Sequence, residues 1–230
     1  MKINSRHIGA AALAVVGAAC VGLAIASGAL AARELRAAVA GPDDGARAAL
    51  FWISPPGPFP IDAGSRQQRR LMAECLSLVA ARDFAFHDAE VRAIVASNCA
   101  AQARHAMGSG TTISEAAALL AVESIERGDL AGADDLLRQS RAMAPTDIGM
   151  ILHRISIGFR AFPAEVLAGP GGLLEREMPV LIGSGRGVSA AASLYVQVPE
   201  LRPVVDRIAD ALPATDRQRF LRAVQRRVNG

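Results

Sequence analysis

Apolar residues recur along this chain in two distinct patterns. Residues 8–32 are twenty-five consecutive positions without a charge, and from residue 65 onward apolar side chains return at intervals of three and four, the spacing of one helical face. Ser65 and Gln68 form a capping box ahead of a helix whose Leu71, Met72, Cys75, Leu76 and Val79 share a face. A turn over residues 83–87 leads to a second helix with Val91, Ile94, Val95 and Cys99 inward. Thr112 and Glu115 make another capping box, followed by Ala117, Leu120, Ala121, Ser124 and Ile125. Arg127, Gly128 and Asp129 turn the chain, because glycine tolerates the left-handed conformation after a helix and aspartate caps the next one. Leu130, Ala133, Leu136, Leu137, Ser140 and Met143 then mark a helix that Pro145 cannot continue. Asp147 caps a helix running to Arg160, with Ile148, Ile151, Leu152, Ile155 and Phe159 apolar. Residues 163–172 read as irregular. Leu201, Val204, Val205, Ile208 and Leu212 line a further helix with Pro203 in its first turn. Thr215 and Gln218 box the last helix, whose Phe220, Leu221, Val224 and Val228 face inward.

This pattern predicts an all-α fold built of helical hairpins, and composition agrees. Aromatic residues make up 4% of the chain, whereas sheets favour aromatic and β-branched residues. The organisation divides into a cytoplasmic tail and transmembrane helix over residues 1–40, a Pro-rich linker over 41–64, and a helical domain over 65–230.

The pair of helices over residues 113–145 resembles a tetratricopeptide (TPR) repeat. Ala133, Leu137 and Ser140, with Pro145 five further on, look like the second helix of that motif; Leu120, Ala121 and Ser124 stand where its first helix has Leu-Gly and an aromatic. Ala117 departs from the usual bulky residue, and Ala121 from glycine. Pro179 follows Pro145 by one 34-residue TPR period, but the glycines and proline of residues 169–172 interrupt the helix expected before it, so the second repeat is degenerate. Together with the hairpin of residues 65–99, the resemblance implies a short solenoid in which each unit buries its face on the next. It also implies a scaffold whose concave face holds a partner protein, with Glu123, Arg127, Asp134, Arg138 and Arg141 as candidate contacts.

Charge refines the picture. Lys2 is the only lysine, and it and Arg6 precede the apolar stretch. Twenty-five residues at 1.5 Å each exceed a hydrocarbon core of about 30 Å, and the basic preface favours a cytoplasmic N-terminus. The chain therefore reads as a single-pass protein of a bacterial inner membrane, anchored through residues 8–32, with its C-terminal domain in the periplasm. Two rivals stay open: cleavage at the A-x-A site of Ala29–Ala31, which releases a soluble secreted domain, and lipid attachment at Cys20. Removing Lys2 and Arg6 from the 25 basic residues leaves 23 against 22 acidic ones, a balance of +1, which provides no electrostatic footprint for nucleic acid. Trp52 reads either as an interfacial anchor or as a residue packed on the domain. The arginines of the last helix, Arg217, Arg219, Arg222, Arg226 and Arg227, suit either an anionic surface or plain solvation.

Reactive chemistry is sparse. If the first hairpin folds about residue 87, Cys75 and Cys99 come level; in an oxidising compartment they form a disulfide, or else stay as two small buried thiols. The histidines are scattered, and His87 beside Asp88 and near Cys99 is the best constellation, one that helix capping explains more simply. Gly185, Gly187 and Ala190 fit G-x-G-x-x-A after a possible strand at residues 180–182, but no βαβ unit surrounds them. The sequence thus points away from an enzyme and implies no cofactor or metal. The expected function is a membrane-anchored periplasmic adaptor that binds protein partners of the cell envelope in assembly, secretion or polysaccharide export. The alternatives are a periplasmic ligand-binding protein or enzyme using the loop over residues 183–187, and the secreted soluble domain.

Overall fold

The helices begin and end where local chemistry stops them. The computed structural model describes Ile53 and residues 65–108 and 113–229, and among these every regular element is helical. Helix α1 (Ser65–Ala80) is followed by a 3-10 turn (Arg82–Phe86) and α2 (Ala89–Gly108). Then come α3 (Ser114–Glu126), α4 (Leu130–Met143), α5 (Ile148–Ala161) and the short α6 (Ala164–Ala168). The last third holds α7 (Leu173–Gly183), α8 (Val188–Gln197), a 3-10 turn (Pro199–Leu201), α9 (Arg202–Asp210) and α10 (Ala214–Asn229). No helix among the described residues is long and apolar enough to cross a membrane. The expected span over residues 8–32, Trp52, Thr112 and the Pro-rich linker apart from Ile53 lie outside the described residues.

The α3–α4 turn forms as its sequence dictates. Gly128 adopts φ +79°, and its amide bonds to the Ile125 carbonyl while that of Asp129 reaches Ser124, the paired bonds of a Schellman motif. Asp129 then accepts from the Gly132 amide at 2.9 Å, and Asp147 caps α5 through the Met150 amide at 3.0 Å. Two other caps differ from expectation. Helix α3 starts at Ser114 after an extended Ile113 with no side-chain cap, and Ser114 instead bonds across to the Ser140 carbonyl and hydroxyl, each at 2.9 Å. Helix α10 starts at Ala214, so Thr215 lies inside it, and the Pro213 carbonyl accepts from the Asp216 and Arg217 amides.

Two hydrophobic clusters share the interior. The first joins α1 to α4 through Met72, Leu76, Val79, Val95, Leu119, Val122 and Leu137, with Ile53 packed at its edge. The second gathers α7 to α10 through Leu174, Met178, Leu181, Ala192, Val205, Ile208 and Phe220. Helix α5 belongs to both, giving Met150 and Ile157 to the first and Ile151 and Ile155 to the second. From Met150 to Ala161 none of its residues is exposed.

Several expected faces are rotated or widened. Helix α3 buries residues nearly all round, Ala116 to Leu119 and Ala121 to Ser124, because its neighbours α1, α2, α4 and α5 all pack on it and alanine permits close approach. Ile94, Leu130, Leu221 and Val228 are exposed and not inward; in α10 the buried residues are Phe220 and Ala223. Successive packing runs from α1 to α5, whereas the later helices collect around α7, which touches α5, α6, α8, α9 and α10. Pro179 sits inside α7 and not after a helix, so the 34-residue spacing from Pro145 marks no common structural position. Residues 163–172, expected to be irregular, hold the single turn of α6.

Candidate functional site

The charged residues singled out on the helix pair of residues 113–145 are engaged within the chain. Glu123 is buried, and Arg104 of α2 holds it with Nη1 at 2.6 Å from Oε2 and Nη2 at 3.2 Å from Oε1, the forked geometry that makes arginine–carboxylate pairs strong. Arg127 adds a contact at 3.4 Å. The bond to Glu123 raises the Arg104 pKa above its ordinary value. Asp134 receives Arg138 one turn along α4 and Arg176 from α7 at 3.0 Å. Despite its burial, these two guanidiniums hold the Asp134 carboxyl below the usual range. Arg141 donates to the Arg176 carbonyl at 3.2 Å and lies 3.8 Å from Glu177. Glu123 therefore ties α3 to α2, and Asp134 and Arg141 tie α4 to α7, while Arg138 pairs within α4.

At the centre of this network is an ion pair that periodicity does not reveal. Arg154 and Glu177 are each 0% exposed; Nε and Nη2 of the arginine donate to the two carboxylate oxygens at 2.7 and 3.1 Å, and Nη2 also reaches the Ala144 carbonyl at 3.3 Å. Fully buried charges persist only when paired in this way.

The sites proposed for chemistry fare differently. Cys75 and Cys99 are joined as a disulfide between α1 and α2, with Cα atoms 6.0 Å apart, and both are fully buried. Cys99 thus presents no thiol near His87, whose backbone ends the 3-10 turn and whose carbonyl accepts from Arg92 at 2.7 Å. Residues 180–182 belong to α7 and not to a strand. In the glycine-rich loop the Ser184 hydroxyl already accepts the Arg186 and Gly187 amides. A Cβ on Gly187 would stand 2.8 Å from the Leu181 carbonyl oxygen, so this glycine serves the close approach of α8 to α7. Among the described residues no group of three His, Cys, Asp or Glu side chains converges to hold a metal ion. On α10, Arg217 pairs with Asp210 and Arg219 with Asp216, while Arg222 and Arg226 border a surface hollow.

What spacing alone misses is a cleft of about 420 Å³ between the first 3-10 turn, α5 and the end of α8. Phe86 stands at its edge, Leu152, Ile155 and Phe159 line it from α5, and Leu194 with Val198 close the far side. Phe86 is 87% exposed. Ser156 and Arg160 also line the cleft. Ser156 donates to the Ala80 carbonyl at 2.7 Å, which leaves Arg160 as the polar group not committed to a hydrogen bond: its Nε is buried without a partner. Its guanidinium carbon lies 5.5 Å from the Phe84 ring centroid, a cation–π distance. Burial lowers the Arg160 pKa; Glu126 partly opposes that shift and Arg92 adds to it. Residues 85, 86, 194 and 198 carry no periodic signal that would join them to α5; only an aromatic followed by a sharp turn, as in residues 84–87, hints at an exposed ring.

No family model matches this chain, and neither a curated protein nor a solved structure does.

Proposed function

We propose that the chain is a binding protein: a helical, TPR-like adaptor held at a bacterial inner membrane by residues 8–32, whose periplasmic domain grips a segment of an envelope protein. The observation that carries this reading is the apolar cleft between the 3-10 turn, α5 and α8, with Phe86 standing in solvent at its rim. Large exposed apolar side chains beside a concave surface are the anchors of protein interfaces. The charged surface of α3 and α4 contributes differently from what the resemblance implies. Its ion pairs stiffen the scaffold, and the cleft supplies the contact.

A photo-reactive amino acid at position 86 tests the reading in the native envelope. One dominant protein adduct is expected there and none from position 131, an exposed alanine of α4 on another part of the surface. Equal labelling from both positions, or none from 86, would refute it. Mass spectrometry of the membrane-extracted protein tests the anchor, which requires that residues 1–31 remain attached.

A further inference from the structure

We infer that Arg160 is a carboxylate seat: the cleft takes an apolar stretch of a partner protein that carries an aspartate or glutamate, and that acid pairs with the Arg160 guanidinium. The inference rests on the reading of the cleft as a docking surface and names the chemistry of what docks there.

Arg160 stands out among the partly or fully buried arginines around it. Arg154 has Glu177, Arg176 has Asp134, and Arg92 has Glu126 at 3.6 Å. Like Arg141 and Arg176, Arg160 has a buried Nε without a hydrogen-bond partner, but unlike them it makes no ion pair with any described residue. Glu126 is the carboxylate whose field reaches it, but Arg92 already holds that group. Two guanidiniums therefore share one carboxylate beside the cleft, an excess of one positive charge. Arg92 is already engaged elsewhere, its Nη1 donating to the Ala85 and His87 carbonyls and its Nε lying 3.6 Å from Glu126.

The chemistry of the missing partner follows. A single planar guanidinium matches a carboxylate bidentately, whereas a doubly charged phosphate would need further donors that this apolar wall does not offer. The Phe84 ring beneath Arg160 positions the cation. Around it the surfaces of Leu152, Phe159, Leu194 and Val198 reward apolar groups on either side of the acid. A volume of about 420 Å³, near the lower end for ligand pockets, suits a few side chains of a peptide, and the exposed Phe86 extends the contact onto a partner's surface.

The test is a selection of random peptides on the full chain in detergent micelles, followed by affinity measurements on those selected. Enriched peptides are expected to place apolar residues around an Asp or Glu. Changing that acid to its amide should weaken binding roughly ten- to a hundred-fold, the range for a hydrogen bond to a charged group. Arg160→Gln should remove the difference between acid and amide peptides, Arg160→Lys should keep part of it, and Arg222→Gln on α10 should change nothing. The Arg160→Lys variant keeps the test decisive if the glutamine variant is poorly folded. Apolar peptides selected without an acid, or binding indifferent to Arg160, would overturn this inference and leave the docking surface standing. Failure of any selected peptide to depend on Phe86 or Leu194 would overturn both. Oleate displacing the peptides in an Arg160-dependent manner would assign the carboxylate to a lipid and overturn the peptide assignment.

Discussion

Arg154 and Glu177 concentrate the largest single-residue liability of the molecule. Both charges are out of water, so removing one leaves the other uncompensated. Arg154→Met is expected to cost about 3–5 kcal/mol, while Arg154→Met combined with Glu177→Leu should recover most of that loss, since apolar replacements of buried pairs are often neutral. Urea denaturation of the two single variants and the double one checks both statements. Next to it on α5, burial holds the His153 pKa below its ordinary 6.5, with Glu115 and Asp147 opposing the shift and Arg154 reinforcing it. The unfolded chain therefore binds this proton more readily than the folded one, and the sign is fixed. Stability from this group is complete above pH 6.5 and declines as the pH falls from there through the folded-state value. The melting temperature of His153→Gln, measured across that window, should lose this part of its pH dependence. Neither residue was legible in the sequence. Periodicity marks apolar faces, and Arg154 sits among Ile151, Ile155 and Gly158 as a charge whose partner is 23 residues away on another helix.

The elements themselves were legible wherever local chemistry decides them. Gly128, Asp129 and Asp147 each place a boundary, because the left-handed glycine and the two aspartate caps act within a few residues. Boundaries set by distant contacts escaped. Ser114 is used by Ser140 of α4 instead of by its own helix end, and Leu221 and Val228 lie outward because α8 packs on α10 along Phe220 and Ala223. The α1–α2 hairpin carries its own fastening. Cys75 and Cys99 lie 24 residues apart in sequence, and closing a loop of that size stabilises by about 3 kcal/mol through the unfolded chain. Reduction with dithiothreitol, or Cys75→Ala with Cys99→Ala, should lower the urea midpoint accordingly; an unchanged midpoint would mean that the bridge contributes nothing in solution.

At the scale of the whole molecule, α5 makes one cooperative body of two clusters. Ile157 faces the first and Ile155 the second, so neither half keeps a complete core without this helix. Ile157→Ala is expected to cost about 2–5 kcal/mol. Amide exchange should accelerate by the same factor in α2, on the side of the lesion, and in α10, on the other side. Acceleration confined to α1–α4 would show that the halves open separately. The cleft was illegible for a related reason: its walls come from a turn, a central helix and the end of α8, brought together only by both clusters forming. That double-sided helix also sets an order of events during synthesis. When α5 leaves the ribosome or the translocation channel, Ile151 and Ile155 have nothing to settle on until Leu174, Met178 and Phe220 follow. At roughly 5–20 residues per second, the intervening sixty or so residues take several seconds. For that interval the nascent chain shows a bare aliphatic strip, the kind of target that holdase chaperones shield.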